Sequence, residues 1–373
     1  MNFGFTPEQE LLRDQVRRFL DDNSALAEVR RIMKSPQGYQ QAHWHLMAEL
    51  GWLGLIIDEG DGGVGLNWVD LVVVLEEMGR SLYPSPYLST LLFSAALKDM
   101  ADSKTKKTLL PEIAQGNIKG SLALLDQPGD PHPGNITLEV TATTEGLMLN
   151  GSKPFVPDCG SADYFLVAYR QAEGFYLVLL DATDTSLERS HSATMDLTKR
   201  TGNLILNNVE ISTAPRFRVS EQQLLRLFDI GAVAVAAEMI GAAEAALMMT
   251  TNYAQDRNQF GHAIGKYQGV KHRLAEMYVD IESFKSLVYY AAWTITESVE
   301  ELARSASLAK AFASDTFAAI GIDAVQLHGA IGFTQEYDIQ LFLKRSKWSR
   351  ANFGNADFHY EKIIEQKQRA QGF

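Results

Sequence analysis

The chain has 373 residues, of which 46% are hydrophobic and 21% charged, a composition that predicts a globular protein with more than one packed unit. Its formal net charge of −12 argues against nucleic acid as a partner, because binding a phosphate backbone requires a basic surface. No window contains the 18 or so uninterrupted apolar residues that a membrane span requires, so no span is predicted.

The amino-terminal stretch "MNFGFTPEQELLRDQVRRFL" lacks the basic start, apolar centre and small-residue cleavage site of a secretory signal. It predicts a capped helix instead, with Thr6 as the N-cap, Pro7 as the first helical residue and Gln9 as the reciprocal capping partner. The single cysteine, Cys159, cannot form a disulfide within the chain and is typical of a reducing compartment. We therefore expect a cytoplasmic location.

The apolar period divides the chain into three parts. Residues 1–116 are predicted to form an N-terminal helical domain, because apolar residues recur there at three- and four-residue spacing. Across residues 117–218 the period shortens towards two, which predicts a middle β-barrel or β-sandwich domain, with a hairpin turn at Asn150-Gly151. Residues 219–373 return to the helical period in longer segments, which predicts a C-terminal four-helix bundle. The expected fold class is α+β.

The common catalytic signatures are missing from the sequence. It contains no G-x-S-x-G elbow, no H-E-x-x-H and no Cys/His metal spacing, so no metal site is predicted. Residues 58–65, "DEGDGGVG", are rich in glycine but follow a helix and lack a Lys-Ser or Lys-Thr ending, which favours a loop over a phosphate cradle. Cys159 has no visible base beside it, so we expect it to pack rather than react.

Three carboxyl-terminal segments place polar groups at breaks between helices: "RNQFGHAIGKYQ" at 257–268, "VQLHGAIGF" at 325–333 and "RANFGNADFH" at 350–359. An Arg for a pyrophosphate, exposed N–H groups and an aromatic or amide group for a purine would make a dinucleotide site. From the residues alone, corners of a helical bundle explain the three segments equally well.

Together these segments resemble the acyl-CoA dehydrogenase family of flavoenzymes. The stretch "RNQFGHAIGKYQGVKHRLAEM" is similar to the family's R-x-x-F-G corner, and "VQLHGAIGF" to its Q-x-x-G-G-x-G segment with Ala330 in place of a glycine. The resemblance covers nearly the whole chain and implies an α–β–α arrangement, FAD as the cofactor and at least a dimer, commonly a tetramer, whose flavin lies mainly in the adjacent subunit. The FAD contacts that it implies are Arg257, Phe260, Tyr267, Gln268, Gln326, Leu327, His328, Gly329 and Ala330.

The family's reaction needs a carboxylate that removes the α-proton of an acyl thioester while flavin N5 accepts the β-hydride. At the first usual position of the base, a Glu-Gly pair, this chain has Phe353-Gly354; at the second, 26 residues before the corner arginine, it has Gly231. Glu238 shares the helical face of Gly231 about 10 Å farther along and is the remaining candidate for the base. The alternative is a carboxylate that packs or caps helices. Asp229 resembles a family position that faces the CoA arm.

The flavin-ring side of the resemblance falls in the middle domain. The family's T-E-P-x-x-G-S-D and W-I-T/S-N segments correspond to "LDQPGDPHPGN" at 125–135 and "KPFVPDCGSAD" at 153–163. Phe155 is expected to supply an aromatic face to the flavin. Pro157 stands where a Thr or Ser hydroxyl would meet flavin N5, and proline has neither a side-chain donor nor an N–H.

Three functions follow from the resemblance. The favoured one is the partner subunit of a heteromeric acyl-CoA dehydrogenase, whose own catalytic positions are replaced by Phe353 and Gly231. The first alternative is a self-sufficient acyl-CoA dehydrogenase with a displaced base, and the second is an acyl-CoA-binding scaffold without redox activity. The expected partners are an acyl-CoA substrate, a second copy or a sister subunit, and an electron-transfer flavoprotein.

Overall fold

The computed structural model describes residues 5–127, 129, 131–144 and 146–371. In chain order, helices come first, strands follow and helices return, so the predicted α+β class is confirmed. The first helical part consists of α1 (Pro7–Asn23), α2 (Leu26–Ile32), α3 (Gln41–Glu49), α4 (Trp68–Arg80), α5 (Tyr87–Met100) and α6 (Ser103–Ala114).

The start of α1 has the predicted capping geometry. The Thr6 hydroxyl accepts a hydrogen bond from the backbone N–H of Gln9, and the Gln9 side chain accepts one from the backbone N–H of Thr6. Two backbone donors that a helix start leaves without partners are thereby satisfied. Pro7 takes the first helical turn, where its missing N–H costs nothing.

The middle part contains two four-stranded sheets. The strands are β1 (Gly120–Ala123), β2 (Val140–Thr143), β3 (Gly146–Pro157), β4 (Tyr164–Gln171), β5 (Gly174–Asp181), β6 (Leu187–His191), β7 (Thr201–Glu210) and β8 (Arg216–Val219). One sheet has the order β1-β4-β5-β8 and the other β2-β3-β7-β6. Buried side chains of both sheets, such as Phe165 and Leu204, share one hydrophobic core, as in a β-sandwich.

The hairpin predicted at Asn150-Gly151 is wrong, because β3 runs through this dipeptide without turning. The pairing of β3 with β7 shifts in register between Leu149 and Gly151, which marks a β-bulge. The Asn150 amide bonds to the side chain and the backbone N–H of Asn208 on the facing strand. The chain reverses earlier, where Thr143 pairs with Gly146.

The second helical part begins with α7 (Glu221–Asp256), followed by a two-residue antiparallel pair formed by β9 (Asn258–Gln259) and β10 (His262–Ala263). Then come α8 (Gln268–Glu297), α9 (Leu302–His328), α10 (Ile339–Ala351) and α11 (Ala356–Gln371). Helix α9 packs against α8, α10 and α11. One apolar face of α8 is turned to the interior, with Met277, Ile281, Phe284 and Ile295 buried.

The chain divides into two compact units. The first comprises Met1–Arg30, Trp68–Tyr83 and Ala232–Phe373, and the second comprises Arg31–Asn67 and Pro84–Gly231. The sandwich therefore lies wholly within the second unit, and helices α8 to α11 lie within the first. The three sequence domains 1–116, 117–218 and 219–373 stay a prediction.

Two segments of the described residues, Glu221–Asp256 and Val299–Phe333, are long and apolar enough to cross a membrane by length and composition alone. The most apolar window of the first is 89% buried, as in the core helix of a soluble protein, and that of the second is 50% buried. Since core helices pass the same test, the lack of a membrane span stays a prediction.

Candidate functional site

The break between α7 and α8, residues 257–268, forms a small hairpin that we call the Arg257 corner. Its tip is Phe260-Gly261, with φ angles of +53° and +83°, as in the tight turns that require two positive φ values. A left-handed backbone is costly for a bulky residue, and the Phe260 side chain is 92% exposed. Neither the strained backbone nor the exposed ring of Phe260 stabilises the fold of this chain. We infer that the ring contacts something outside the chain.

The rest of the Arg257 corner is open and polar. The Arg257 side chain is exposed and has no hydrogen-bond or ion-pair partner among the described residues. The Tyr267 hydroxyl donates to the carbonyl of Gln259 and fixes the base of the hairpin at 3.0 Å. Helix α8 begins at Gln268 without a side-chain cap, and the start of a helix favours an anion because its backbone N–H groups point outward.

The second predicted segment follows the end of α9. Gln326, Gly329 and Ala330 are exposed, and Gly329 has a φ of +65°; a side chain there would meet open space. His328 differs, because its ring is 2% exposed and its Nδ1 lies 2.7 Å from the carbonyl of Ala324. Any contribution of His328 to a cofactor contact would therefore come from its backbone, and Leu327 is half-buried beside it.

A ring stack joins the two segments, although they are about 70 residues apart in sequence. The imidazole of His328 lies against the Tyr253 ring, with centroids 4.4 Å apart, and Tyr253 is one helical turn before Arg257. Burial lowers the pKa of His328, which keeps the stacked ring neutral. An ion pair between Arg273 and Asp323 joins the first part of α8 to the last part of α9. The structure thus brings the predicted dinucleotide contacts of the second helical part to one end of the bundle.

The third segment, at the junction of α10 and α11, is held from within by a lysine and a histidine that the sequence analysis missed. Lys310 is completely buried and donates to the carbonyls of Gly354 (2.7 Å) and Arg350 (3.2 Å) and to the hydroxyl of Ser314 (3.1 Å). These three acceptors match the three protons of an ammonium group. Burial and the nearby Arg350 lower the pKa of Lys310 to about 7. A lysine on the apolar face of α9 was the available sequence signal.

His359 completes this arrangement, which we call the Lys310 clamp. Its Nε2 lies 2.8 Å from the carbonyl of Phe353, and its Nδ1 lies 3.3 Å from the hydroxyl of Ser307. Burial, with the positive charge of Lys310, lowers the pKa of His359 to about 3. The clamp holds Phe353-Gly354 with φ angles of +55° and +91°. A phenyl ring therefore occupies a rigid position at which the family resemblance expects a carboxylate.

The two candidate carboxylates of α7 are both buried. Glu238 is 3% exposed, and its Oε2 lies 3.9 Å from Nη1 of Arg345, which is 1% exposed. A carboxylate that faces a buried guanidinium has a structural role available to it, and its role as a base stays a prediction. Asp229 is also 3% exposed, and Gly231 lies in the same helix.

In the second unit, the two predicted flavin-ring stretches meet through a buried ion pair. The ammonium of Lys153 in β3 lies 2.6 Å from the carboxylate of Asp126, and burial lowers the pKa of Lys153 to about 8. Asp126 also accepts the backbone N–H groups of Thr137 and Leu138. Pro128 and Asp130 of the first stretch lie outside the described residues.

The end of β3 presents a mixed set of groups. The Phe155 ring is 55% exposed and its φ is +53°, a combination like that of Phe260. The Pro157 carbonyl accepts the hydroxyl of Ser121 at 2.5 Å, and proline offers no donor here. The next residue, Asp158, accepts the hydroxyl of Ser89 at 2.6 Å; no sequence motif pointed to that pair.

The groups that suit a flavin dinucleotide are unequally present in these two regions, each taken by itself. The Arg257 corner offers a free guanidinium, an exposed ring and an uncapped helix start, which suit a pyrophosphate and an adenosine. The β3 end keeps an aromatic face in Phe155 but has no hydroxyl or N–H at Pro157 for the ring edge of a flavin.

Comparisons with known proteins agree with the order of helical and β parts described above. Residues 6–117 match the model of the acyl-CoA dehydrogenase N-terminal domain, and residues 222–367 match that of the C-terminal domain. The acyl-CoA dehydrogenase IpdE2 of Mycolicibacterium smegmatis is 32% identical over 93% of this chain and 94% of its own. Among solved structures, a variant of the Tcur3481-Tcur3483 steroid ACAD has a TM-score of 0.88 at 27% identity, covering 98% of this chain and 99% of its own. The ChsE4-ChsE5 complex from Mycobacterium tuberculosis has a TM-score of 0.90 at 24% identity, with 99% of each chain covered.

Proposed function

The chain belongs to the acyl-CoA dehydrogenase family, and from this premise we propose that it is the partner subunit of a heteromeric acyl-CoA dehydrogenase. In this role it lends the Arg257 corner and the segment 326–330 to an FAD whose ring is held by a sister chain. When bound, the flavin supplies the hydride acceptor for α,β-dehydrogenation of an acyl-CoA thioester.

The observation that carries the proposal is the contrast between the two half-sites. The corner retains groups for a dinucleotide, and its Phe260 is strained and 92% exposed, which is worthwhile only if a ligand or another chain covers it. At the ring-side half-site, Pro157 gives no donor. A chain that has groups for the dinucleotide end of FAD but lacks a donor for the flavin ring is suited to contribute part of a cofactor site, with the rest supplied by another chain.

The distribution of carboxylates supports the same role. Proton abstraction needs a basic group within hydrogen-bond reach of the proton, and neither the phenyl ring of Phe353 nor the hydrogen of Gly231 is basic. The Lys310 clamp holds the loop at Phe353 through hydrogen bonds to its carbonyls. The loop is therefore fixed in place, but the side chain at the expected position of the base cannot accept a proton. Glu238 faces Arg345 in the interior.

Two of the similar structures support a heteromer, since their names each join two different proteins: Tcur3481 with Tcur3483, and ChsE4 with ChsE5. By analogy, we expect the acyl group of the substrate to be bulky, as in a steroid. The expected electron acceptor is an electron-transfer flavoprotein.

The test is to purify the chain alone and co-expressed with each acyl-CoA dehydrogenase encoded next to it, and to record flavin content, native mass and bleaching by acyl-CoA thioesters. The proposal expects a chain that is colourless alone and a yellow mixed complex that bleaches with substrate. A yellow homomer that bleaches alone would establish the self-sufficient enzyme instead. A chain that never takes up flavin, alone or mixed, would leave the acyl-CoA-binding scaffold.

A further inference from the structure

A cavity of about 460 Å³ lies within the first compact unit, outside the segments that resemble the flavin site. Its walls come from the junction of α1 and α2, the end of α4, the last three turns of α7 and the start of α10. This volume is within the range of natural small-molecule pockets, and the lining is mostly apolar.

The inner end of the cavity contains a polar group without a partner. Leu20, Ser24 and Phe342 line the cavity and are at most 5% exposed. Among the described residues, the Ser24 hydroxyl has no hydrogen-bond partner, although its oxygen is buried. A buried hydroxyl without a hydrogen bond destabilises the fold, so a ligand oxygen that bonds to Ser24 would remove this cost.

The outer end carries excess negative charge. Asp21 and Asp256 line the cavity and are exposed. Arg80, the lining cation, is engaged by Asp21 (2.7 Å) and by Glu77 (2.6 Å), and the Asp256 carboxylate forms no ion pair among the described residues. Met248, whose side chain is 56% exposed, and Met249 also line the cavity; thioether side chains adapt to irregular apolar ligands.

We propose that this cavity binds a small hydroxyalkyl amine: an apolar body with an ammonium group at one end and a hydroxyl or carbonyl oxygen at the other. The oxygen meets the Ser24 hydroxyl, the body lies along Met248, Met249 and Phe342, and the ammonium group faces Asp256. The cavity shares Tyr253 with the ring stack described above, but its lining contains none of residues 257–268 or 325–333, so the inference does not depend on the proposed function.

Methyl NMR of the full chain labelled at methionine methyl groups tests the proposal, with 6-amino-1-hexanol as the probe. Met248→Leu and Met249→Leu assign the two signals. We expect both signals to shift saturably with millimolar probe, and hexylamine and 1-hexanol to bind more weakly. The anionic probe 6-hydroxyhexanoate should not bind. No saturable shift, or equal binding of the anion, would overturn the proposal.

Three variants locate the ligand. Ser24→Ala and Asp256→Asn should each weaken 6-amino-1-hexanol binding about fivefold, the first through the lost hydrogen bond and the second through the lost charge. Ala245→Phe adds a ring to the wall formed by a residue that is 8% exposed and should abolish binding. Asp357→Asn, an exposed position on α11, is the control and should leave binding unchanged. Wild-type binding by Ala245→Phe would place the probe elsewhere and overturn the site.

Discussion

His328 and Tyr253 lie ring on ring with their centroids 4.4 Å apart, and this stack fastens the end of α9 to the end of α7. Tyr253→Leu keeps an apolar side chain but removes the stack, which contributes about 1 kcal/mol beyond burial. We expect a loss of about that size in the free energy of unfolding, measured by urea denaturation, and faster FAD loss from the mixed complex. Tyr278→Leu is the control, since Tyr278 is 58% exposed on α8 and should leave stability unchanged.

Arg257→Ala should weaken FAD retention by the mixed complex about 10- to 100-fold, because a charge-assisted hydrogen bond to a phosphate is worth about 1.5–3 kcal/mol. Equilibrium dialysis with flavin fluorescence measures the affinity. Arg257→Lys keeps the charge but lacks the planar guanidinium, so its affinity for FAD should lie between those of the wild type and Arg257→Ala. Arg304→Ala removes a guanidinium from another exposed position, on α9, and serves as the matched control. Equal retention by Arg257→Ala and Arg304→Ala would remove the corner from the cofactor site.

Phe260→Gly should change stability and binding in opposite directions. Glycine adopts a φ of +53° without the strain that a phenylalanine suffers, so the isolated chain should gain about 1 kcal/mol in its free energy of unfolding. The mixed complex should lose FAD affinity, because the exposed ring is absent. Thermal unfolding of the chain and flavin titration of the complex give the two results. A variant that loses stability in the isolated chain would show that Phe260 packs within its own chain.

Glu238→Gln distinguishes a packing carboxylate from a catalytic base. It removes the carboxylate charge that faces the buried guanidinium of Arg345, so we expect a loss of about 1 kcal/mol in unfolding free energy. Turnover of the folded mixed complex should be unchanged, measured below the unfolding transition of the variant. A general base contributes about 10²- to 10⁴-fold. A turnover loss of that size with the fold intact would establish Glu238 as a base and contradict its packing role.

Because of His359, we expect the free energy of unfolding to decrease in mild acid. Its pKa is lowered to about 3 in the folded chain, against 6.5 for an ordinary histidine, so the unfolded chain binds the extra proton first as pH falls through 6.5. The stabilisation is complete above pH 6.5 and declines towards pH 3. Between pH 7 and 5 we expect a loss of about 2 kcal/mol from this group, measured by urea denaturation.

His359→Gln is the matched variant, because a glutamine amide can replace the hydrogen bonds but does not titrate. Its unfolding free energy should fall less than that of the wild type between pH 7 and 5, by about the same 2 kcal/mol. Parallel pH profiles for the two proteins would show that the ring of His359 is not the titrating group. Lys310 and Lys362 are the positive groups that disfavour its protonation.

Periodicity and short motifs determined the order of elements and the location of the Arg257 corner. The capping box of α1, the helical period of α8 and the break at 257–268 all depend on local spacing, which a single stretch of sequence contains. The turn predicted at Asn150-Gly151 is wrong because it rests on local preference alone. The dipeptide favours a turn, but the pairing of β3 with β7 accommodates it as a bulge. Local preference gave way there to hydrogen bonding with a distant strand.

Only the tertiary structure decided which distant groups meet. The His328 ring stacks on Tyr253, and Lys310 donates to a carbonyl of the loop at Phe353. Glu238 faces Arg345. The members of each pair are more than 40 residues apart in sequence. Such pairs satisfy buried polar groups or stack rings between helices, and nothing in the local sequence states which helix will lie alongside. The residue types of the Arg257 corner could thus be read from the sequence, whereas the strain and exposure of Phe260, which carry the proposed function, belong to the folded chain.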